Sequence, residues 1–185
     1  PCTNVPHIDF NLSHDGDWVV MAFSRAHRVG VDVMQVALPH FEESSASFCR
    51  TMSSSMSRSE REWGAQGASE ADVLSCLYDV WTFKEALTKN MGLGLGYDFV
   101  RIDLRFGRDV RLAMDGRAVD TYRFRELALP CGASSRAPGS RVAIALGPRD
   151  AWEAPMSKQA VPAQQAMDEG WLRMWTYDAW LDYAW

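Results

Sequence analysis

Trp81, Glu85 and Lys89 recur at i, i+4 and i+8, so on a helix they share one face and set a carboxylate beside an ammonium group. Such a pair can move a proton or neutralise charge. It also has a plain account, an i,i+4 ion pair in the favourable order, worth about 0.3–0.5 kcal/mol. Asp32 lies in the strand-like segment VGVDV, where it and Met34 point to one face while Val31 and Val33 point to the other. Alone it reads as a surface-facing carboxylate on a half-buried strand. His14 and Ser13 add an imidazole and a hydroxyl in FNLSHDG, but Asn, Ser, Asp and Gly in close succession describe a turn. Taken singly, each of these groups has a structural explanation.

The clearest positioning element is a helix over residues 70–91, where Val73, Leu77, Val80, Trp81, Leu87 and Met91 recur at helical spacing. Ser69 is its expected N-cap with Asp72 near N3, and Gly92 is a natural residue to follow its end. WVVMAFS (residues 18–24) and RVGVDVM (residues 28–34) read as a hairpin or two neighbouring strands turned by Arg25-Ala26-His27. Short helical patches are expected at residues 41–49 and 58–63. GLGLGY is a flexible turn, FVRIDLRF and VRLAMDG read as strands, and RVAIAL (residues 141–146) as a buried one. The Gly, Ser and Pro of residues 131–140 form a loop.

With 47% hydrophobic and 23% charged residues the chain can bury a real core as one domain or two small lobes. No apolar run reaches the length of a membrane span, and the opening PCTNVPHIDF lacks the regions of a signal peptide. Four scattered cysteines with no CxxC pair fit neither a zinc site nor a disulfide framework, so a reducing cytoplasm is expected. No Lys/Arg run with interleaved aromatics supports nucleic-acid binding. Net charge is −5, and residues 151–185 carry five acids against two bases, leaving a body close to neutral. Residues 148–165, rich in Pro, Ala and Gln, read as a linker. Five of the eight tryptophans lie in residues 151–185, so the aromatic tail, residues 166–185, is expected to dock on the body.

Jointly and in order, FNLSH (residues 10–14), VGVDV (29–33) and WTFKEALTK (81–89) followed by GLGL (92–95) resemble the three signature regions of the Sfp-type 4'-phosphopantetheinyl transferases. Three ordered motifs are far more specific than any one. The resemblance covers residues 10–146 and is greatest with the eukaryotic branch that serves aminoadipate-semialdehyde dehydrogenase, in which Met also stands two residues after the aspartate and RLAMDGRAV has a counterpart. The end of the tail, MWTYDAWLDYA, resembles that branch weakly.

The resemblance implies an α+β fold built of two similar lobes about a pseudo-two-fold axis. Residues 1–147 would form mainly the second lobe, an antiparallel sheet packed with the long helix, with the first lobe largely missing because FNLSH comes so early. It implies transfer of 4'-phosphopantetheine from coenzyme A to a serine of an acyl or peptidyl carrier domain, releasing adenosine 3',5'-bisphosphate. A truncated, non-catalytic copy that binds coenzyme A or a carrier is the alternative. Asp32 and Glu85 would hold Mg²⁺, a cation that takes hard oxygen donors and keeps waters and substrate phosphates in its shell. Glu85 would also be the general base, directly or through water, and Lys89 would lie against the coenzyme A phosphates. Lys84 is a weaker candidate for the same work. Asn11, Leu12, Ser13 and His14 would form a loop contacting the coenzyme, with Ser13 and His14 on phosphate oxygens. Many bacterial members carry a third carboxylate where Met34 stands, and a thioether is a poor Mg²⁺ ligand. The implied partners are the carrier domains of aminoadipate reductase, in lysine biosynthesis, or of fatty-acid and polyketide synthases, met by a monomer.

Overall fold

The computed structural model describes residues 8–130, 139–148 and 161–174, an α+β arrangement of three sheets around one long helix. Among these residues no helix is long and apolar enough to cross a membrane.

Strands β1 (Asp9–Asp15) and β2 (Trp18–Ser24) form an antiparallel hairpin, with Asp15 opposite Trp18 at the turn and Asp9 opposite Ser24. The turn-like composition of FNLSHDG thus applies only to its last residues. Gly16, at φ 55°, makes the turn, and Asn11 to His14 are strand rather than loop. Of the two arrangements expected for β2 and β3 (Val29–Gln35), the hairpin does not form, but the strands are neighbours, with Val20 and Ala22 packed near Val31 and Val33.

After β3 come the short helices α1 (Ser45–Met52) and α2 (Arg58–Gly64), then α3 (Glu70–Met91). Helix α3 begins with the expected cap. Ser69 accepts from the Asp72 amide at 3.2 Å, and the Asp72 carboxylate accepts from the Ser69 amide at 3.0 Å. It ends at Gly92, whose φ of 76° lets the Leu93 amide reach back to the Thr88 carbonyl. A small sheet of β4 (Ile102–Arg105), β5 (Arg111–Met114) and β6 (Arg117–Val119) follows, and Phe99–Arg101 is a 3₁₀ turn rather than strand.

The main sheet has the order β3, β8, β7, β9, with β7 at Arg123–Leu129, β8 at Ser140–Leu146 and β9 at Val161–Pro162. The β7–β9 contact is parallel and the others antiparallel. The stretch read as a linker ends in β9 and helix α4 (Ala163–Asp168). Trp171, Leu172 and Met174 beyond it pack on the core, whereas the remainder of the aromatic tail, residues 175–185, and the central part of the linker fall outside the described residues.

Helix α3 crosses one face of the main sheet. Phe83, Ala86 and Leu87 meet Ala143 and Ala145 of β8, Phe124 of β7, and Ile102, Leu104 and Leu112 of the small sheet. The opposite face buries Val31, Val33, Leu127, Leu129 and Val142 beneath Trp18, Val20 and Ala22 of β2. Gly30 sets how closely α3 can lie, because a Cβ there would collide with the Ala86 carbonyl and stand 2.5 Å from the Asn90 nitrogen. On the far side of α3, Lys84 pairs with Glu60 at 2.6 Å with both side chains fully buried. Glu60 also accepts from the Ser57 and Leu104 amides, and Lys84 donates to the Ser55 and Phe99 carbonyls. Lys84 is thereby committed to structure.

The outward edge of β3 has an unusual partner. Its amides at Val29, Val31, Val33 and Gln35 donate to side chains of β1: Asp9 at 2.6 Å, Asn11 at 2.9 Å, Ser13 at 3.4 Å and Asp15 at 2.6 Å. Side chains here take the place of a neighbouring strand's carbonyls.

Two substitutions test these supports, and a third serves as a control. Gly30→Ala should lower unfolding stability by about 2 kcal/mol or more, since backbone cannot give way as a side chain can. Gly96→Ala, which meets nothing within 4 Å, should stay within about 0.5 kcal/mol by urea denaturation. Lys84→Met should cost about 3–5 kcal/mol in the same measurement, because it strands the buried Glu60 carboxylate.

Candidate functional site

Seating α3 on Gly30 brings its inner face against Asp32, the next residue of β3 to point that way. Asp32 is only 4% exposed. Its Oδ1 accepts from Lys89 Nζ at 2.7 Å and from the Ser13 hydroxyl at 2.8 Å, and Lys89 also donates to Ser13 Oγ at 3.0 Å. Asp32 Oδ2 is buried and has no hydrogen-bond partner. Glu85, one turn before Lys89, is 7% exposed. Lys89 therefore pairs across to Asp32 and not simply along the helix to Glu85.

Both carboxyls are pushed above their ordinary values. For Asp32 the cause is burial, opposed by the hydrogen bond and charge of Lys89, by Ser13 and by the Val33 amide. For Glu85 burial leads, the Asp32 charge adds to it, and Lys89 opposes both. One ammonium thus faces two carboxylates, leaving negative charge unbalanced and one oxygen without a partner. Those are conditions that a hard divalent cation relieves, and carboxylate oxygens are the donors it prefers. Asp32 and Glu85 are the residues that fit it. Met34 points to the same side of β3 but packs into the apolar cluster around α1 and α3, and among the described residues no third acidic, His or Cys side chain completes a cluster.

The stretch containing β3 and α3 decides the family. The profile of the 4'-phosphopantetheinyl transferase superfamily matches residues 28–144, more than half of the chain. The chain belongs to this superfamily. It is 35% identical over 130 residues to a 4'-phosphopantetheinyl transferase of Paxillus involutus, covering 65% of this chain and 49% of the relative. It is 31% identical over 157 residues to the L-aminoadipate-semialdehyde dehydrogenase-phosphopantetheinyl transferase of Xenopus laevis, covering 78% and 48%. Against the 4'-phosphopantetheinyl transferase Sfp of Bacillus subtilis the identity is 24% over 116 residues, covering 62% and 47%. The chain spans about half the length of these relatives.

Of the residues singled out from the sequence, Ser13, Asp32, Glu85 and Lys89 come together. The remaining FNLSH residues do not join them: side chains alternate along β1, which turns Phe10, Leu12 and His14 outward, and Asn11 is spent on β3. Leu12 and His14 lie exposed on the outer face, and Asn11 Oδ1 is taken by the Val31 amide. Lys84 points elsewhere, as its pairing with Glu60 requires. Sequence reasoning missed the β1 acceptors, the role of Gly30 and Glu60. The acceptors did leave a signal: polar residues at 9, 11, 13 and 15 precede their partners by a constant twenty positions.

The raised carboxyls give a pH prediction for the metal-free protein. A carboxyl raised on folding contributes stability below its ordinary value, 4.5 for Glu85, that is lost as pH rises through the folded value. Glu85→Gln removes this loss. In EDTA, the stability of the variant relative to the parent should therefore increase as pH rises from about 4.5 toward neutrality. Urea midpoints across that range measure it, and a pH-independent difference would show that Glu85 ionises normally.

Proposed function

We propose that this chain is the catalytic-site half of a 4'-phosphopantetheinyl transferase, which moves the phosphopantetheine arm of coenzyme A onto a serine of a carrier domain. The observation that carries the reading is the buried group of Asp32, Ser13, Lys89 and Glu85 within the stretch matched by the superfamily.

In this reaction the carrier serine oxygen bonds to the β-phosphorus of coenzyme A as the bond to adenosine 3',5'-bisphosphate breaks, and the serine proton must leave. Glu85 is suited to receive it, directly or through water, because its raised basicity brings it nearer the working pH. Mg²⁺ bound by Asp32 and Glu85 would supply charge neutralisation and alignment of the pyrophosphate. Lys89, held beside Asp32, supplies a fixed positive charge for the departing bisphosphate. The carrier domains of aminoadipate reductase, fatty-acid synthase or polyketide synthase belong to this proposal, as do a monomer and a reducing cytoplasm. The non-catalytic alternative gains nothing from a site that keeps both carboxylates and the ammonium together.

The half-length match and the β1–β2 hairpin support the two-lobe reading. Phe10, Leu12, Val19, Met21 and Phe23 form an exposed apolar face on that hairpin. The half of the relatives' length not spanned here would supply the lobe that covers it.

Two measurements test the proposal. With coenzyme A and Mg²⁺, a form extended by the segment corresponding to the other half of the relatives should add one phosphopantetheine arm to an apo carrier, read by intact mass. Residues 1–185 alone should not, and equal activity of the two forms would refute the two-lobe account. In the active form, Glu85→Gln should lose at least about a hundredfold in turnover. Unmodified carriers, in an assay where a known transferase modifies them, would sink the enzyme reading.

A further inference from the structure

Ser13 is expected, from its motif, to hydrogen-bond a coenzyme phosphate, yet its hydroxyl is already fully used. A serine hydroxyl has one proton to donate and two lone pairs to accept with. The proton goes to Asp32 Oδ1 at 2.8 Å. The lone pairs receive Lys89 Nζ at 3.0 Å and the Val33 amide at 3.4 Å. A phosphate anion needs a donor, and Ser13 could offer one only by releasing Asp32.

The position of this hydroxyl is fixed by more than its own contacts. It is the third of four rungs, Asp9, Asn11, Ser13 and Asp15, that hold β1 against the edge of β3. A slip of one residue would turn Phe10, Leu12 and His14 toward β3. A slip of two would carry the Ser13 hydroxyl about 7 Å along the strand, away from Asp32. Ser13 is the only rung in hydrogen-bond contact with the Asp32–Lys89 pair among the described residues.

We propose that Ser13 is a positioning residue: it clamps Asp32 Oδ1 onto Lys89 so that Oδ2 is the oxygen presented to a divalent cation. The proposal rests on the transferase reading for its purpose but not for its geometry. The ladder sets the place of the hydroxyl, the hydroxyl sets the rotation of the carboxylate, and the unpartnered Oδ2 is the result.

The geometric part is tested on the metal-free 185-residue chain by a double-mutant cycle of Ser13→Ala and Lys89→Met, read by urea denaturation. Members of one hydrogen-bond network should give non-additive losses, and additive losses would overturn the clamp. The metal part uses the form that modifies a carrier, with Mn²⁺ as the probe followed by electron paramagnetic resonance. Ser13→Ala should weaken Mn²⁺ binding by about tenfold or more, as loss of a group orienting a ligand does. Ser13→Thr, which restores the hydroxyl, should recover most of it. Affinity for coenzyme A measured by calorimetry in EDTA should stay within about threefold, because no phosphate contact is lost. A large fall in that affinity, or unchanged Mn²⁺ binding in a folded Ser13→Ala variant, would overturn the proposal. If no form of the protein modifies a carrier, the transferase reading fails, and the metal-free cycle still decides the clamp.

Discussion

Helix α3 rests on β3 where Gly30 leaves no side chain, and almost everything else about the site depends on that approach. Gly30 lies opposite Ala145 of β8, and Asp32 lies opposite Ala143, so the surface beneath the helix is a patch of small residues with one carboxylate at its margin. Asn90, nearly buried, donates to the Ala145 carbonyl at 3.0 Å and ties the end of the helix to the same patch. With larger side chains there the helix axis would stand farther from the sheet, and Lys89 could not reach Asp32 at 2.7 Å. The glycine of VGVDV is therefore a distance requirement, and the aspartate two residues on is what that distance serves.

Two lysines five residues apart on α3 show how differently buried charge can be completed. Lys84 ends in a closed arrangement in which both Glu60 oxygens and the ammonium have protein partners, so the cost of burying the ions is met by hydrogen bonds on every side. Lys89 ends in an open one. Its carboxylate partner keeps an unsatisfied oxygen, and a second carboxyl close by is raised by the same burial and by the first charge. Removing water from a set of like charges without completing their contacts is unfavourable, and it leaves Asp32 and Glu85 as the groups whose chemistry fits a hard cation.

The sequence made α3 legible because its periodicity, its cap at Ser69 and its stop at Gly92 all agree. Asp32 and the Glu85 to Lys89 face followed from strand and helix geometry. Which groups they would meet did not, since the Asp32–Lys89 pairing depends on Gly30, whose need for space is visible only in three dimensions. Strand β1 was hidden by its own chemistry, because the Asn, Ser and Asp that suggest a turn are the acceptors that bind β3. Strand β7 was hidden likewise. RFRELAL places Arg123, Arg125 and Glu126 among its apolar residues, and only pairing with β8 shows Glu126 to be buried. The strands flanking Arg25-Ala26-His27 suggested a hairpin or two neighbouring strands because they are adjacent in sequence; they are neighbours by packing, whereas β3 takes β8 as its hydrogen-bonded partner and leaves its other edge to side chains.

The β1–β2 hairpin inverts the usual order of a surface strand. On β1 the polar residues Asp9, Asn11, Ser13 and Asp15 point inward to the amides of β3, and Phe10 and Leu12 point outward. On β2 the inward residues Trp18, Val20 and Ala22 are apolar, but so are the outward Val19, Met21 and Phe23. A strand apolar on both faces is the pattern of one covered on both. The polar inner face of β1 is thus spent on holding Ser13 and Asp32 in register, and the apolar outer face stands exposed among the described residues. Any packing against that face would stiffen the hairpin that sets the Ser13 hydroxyl, and through it would fix the geometry of Asp32.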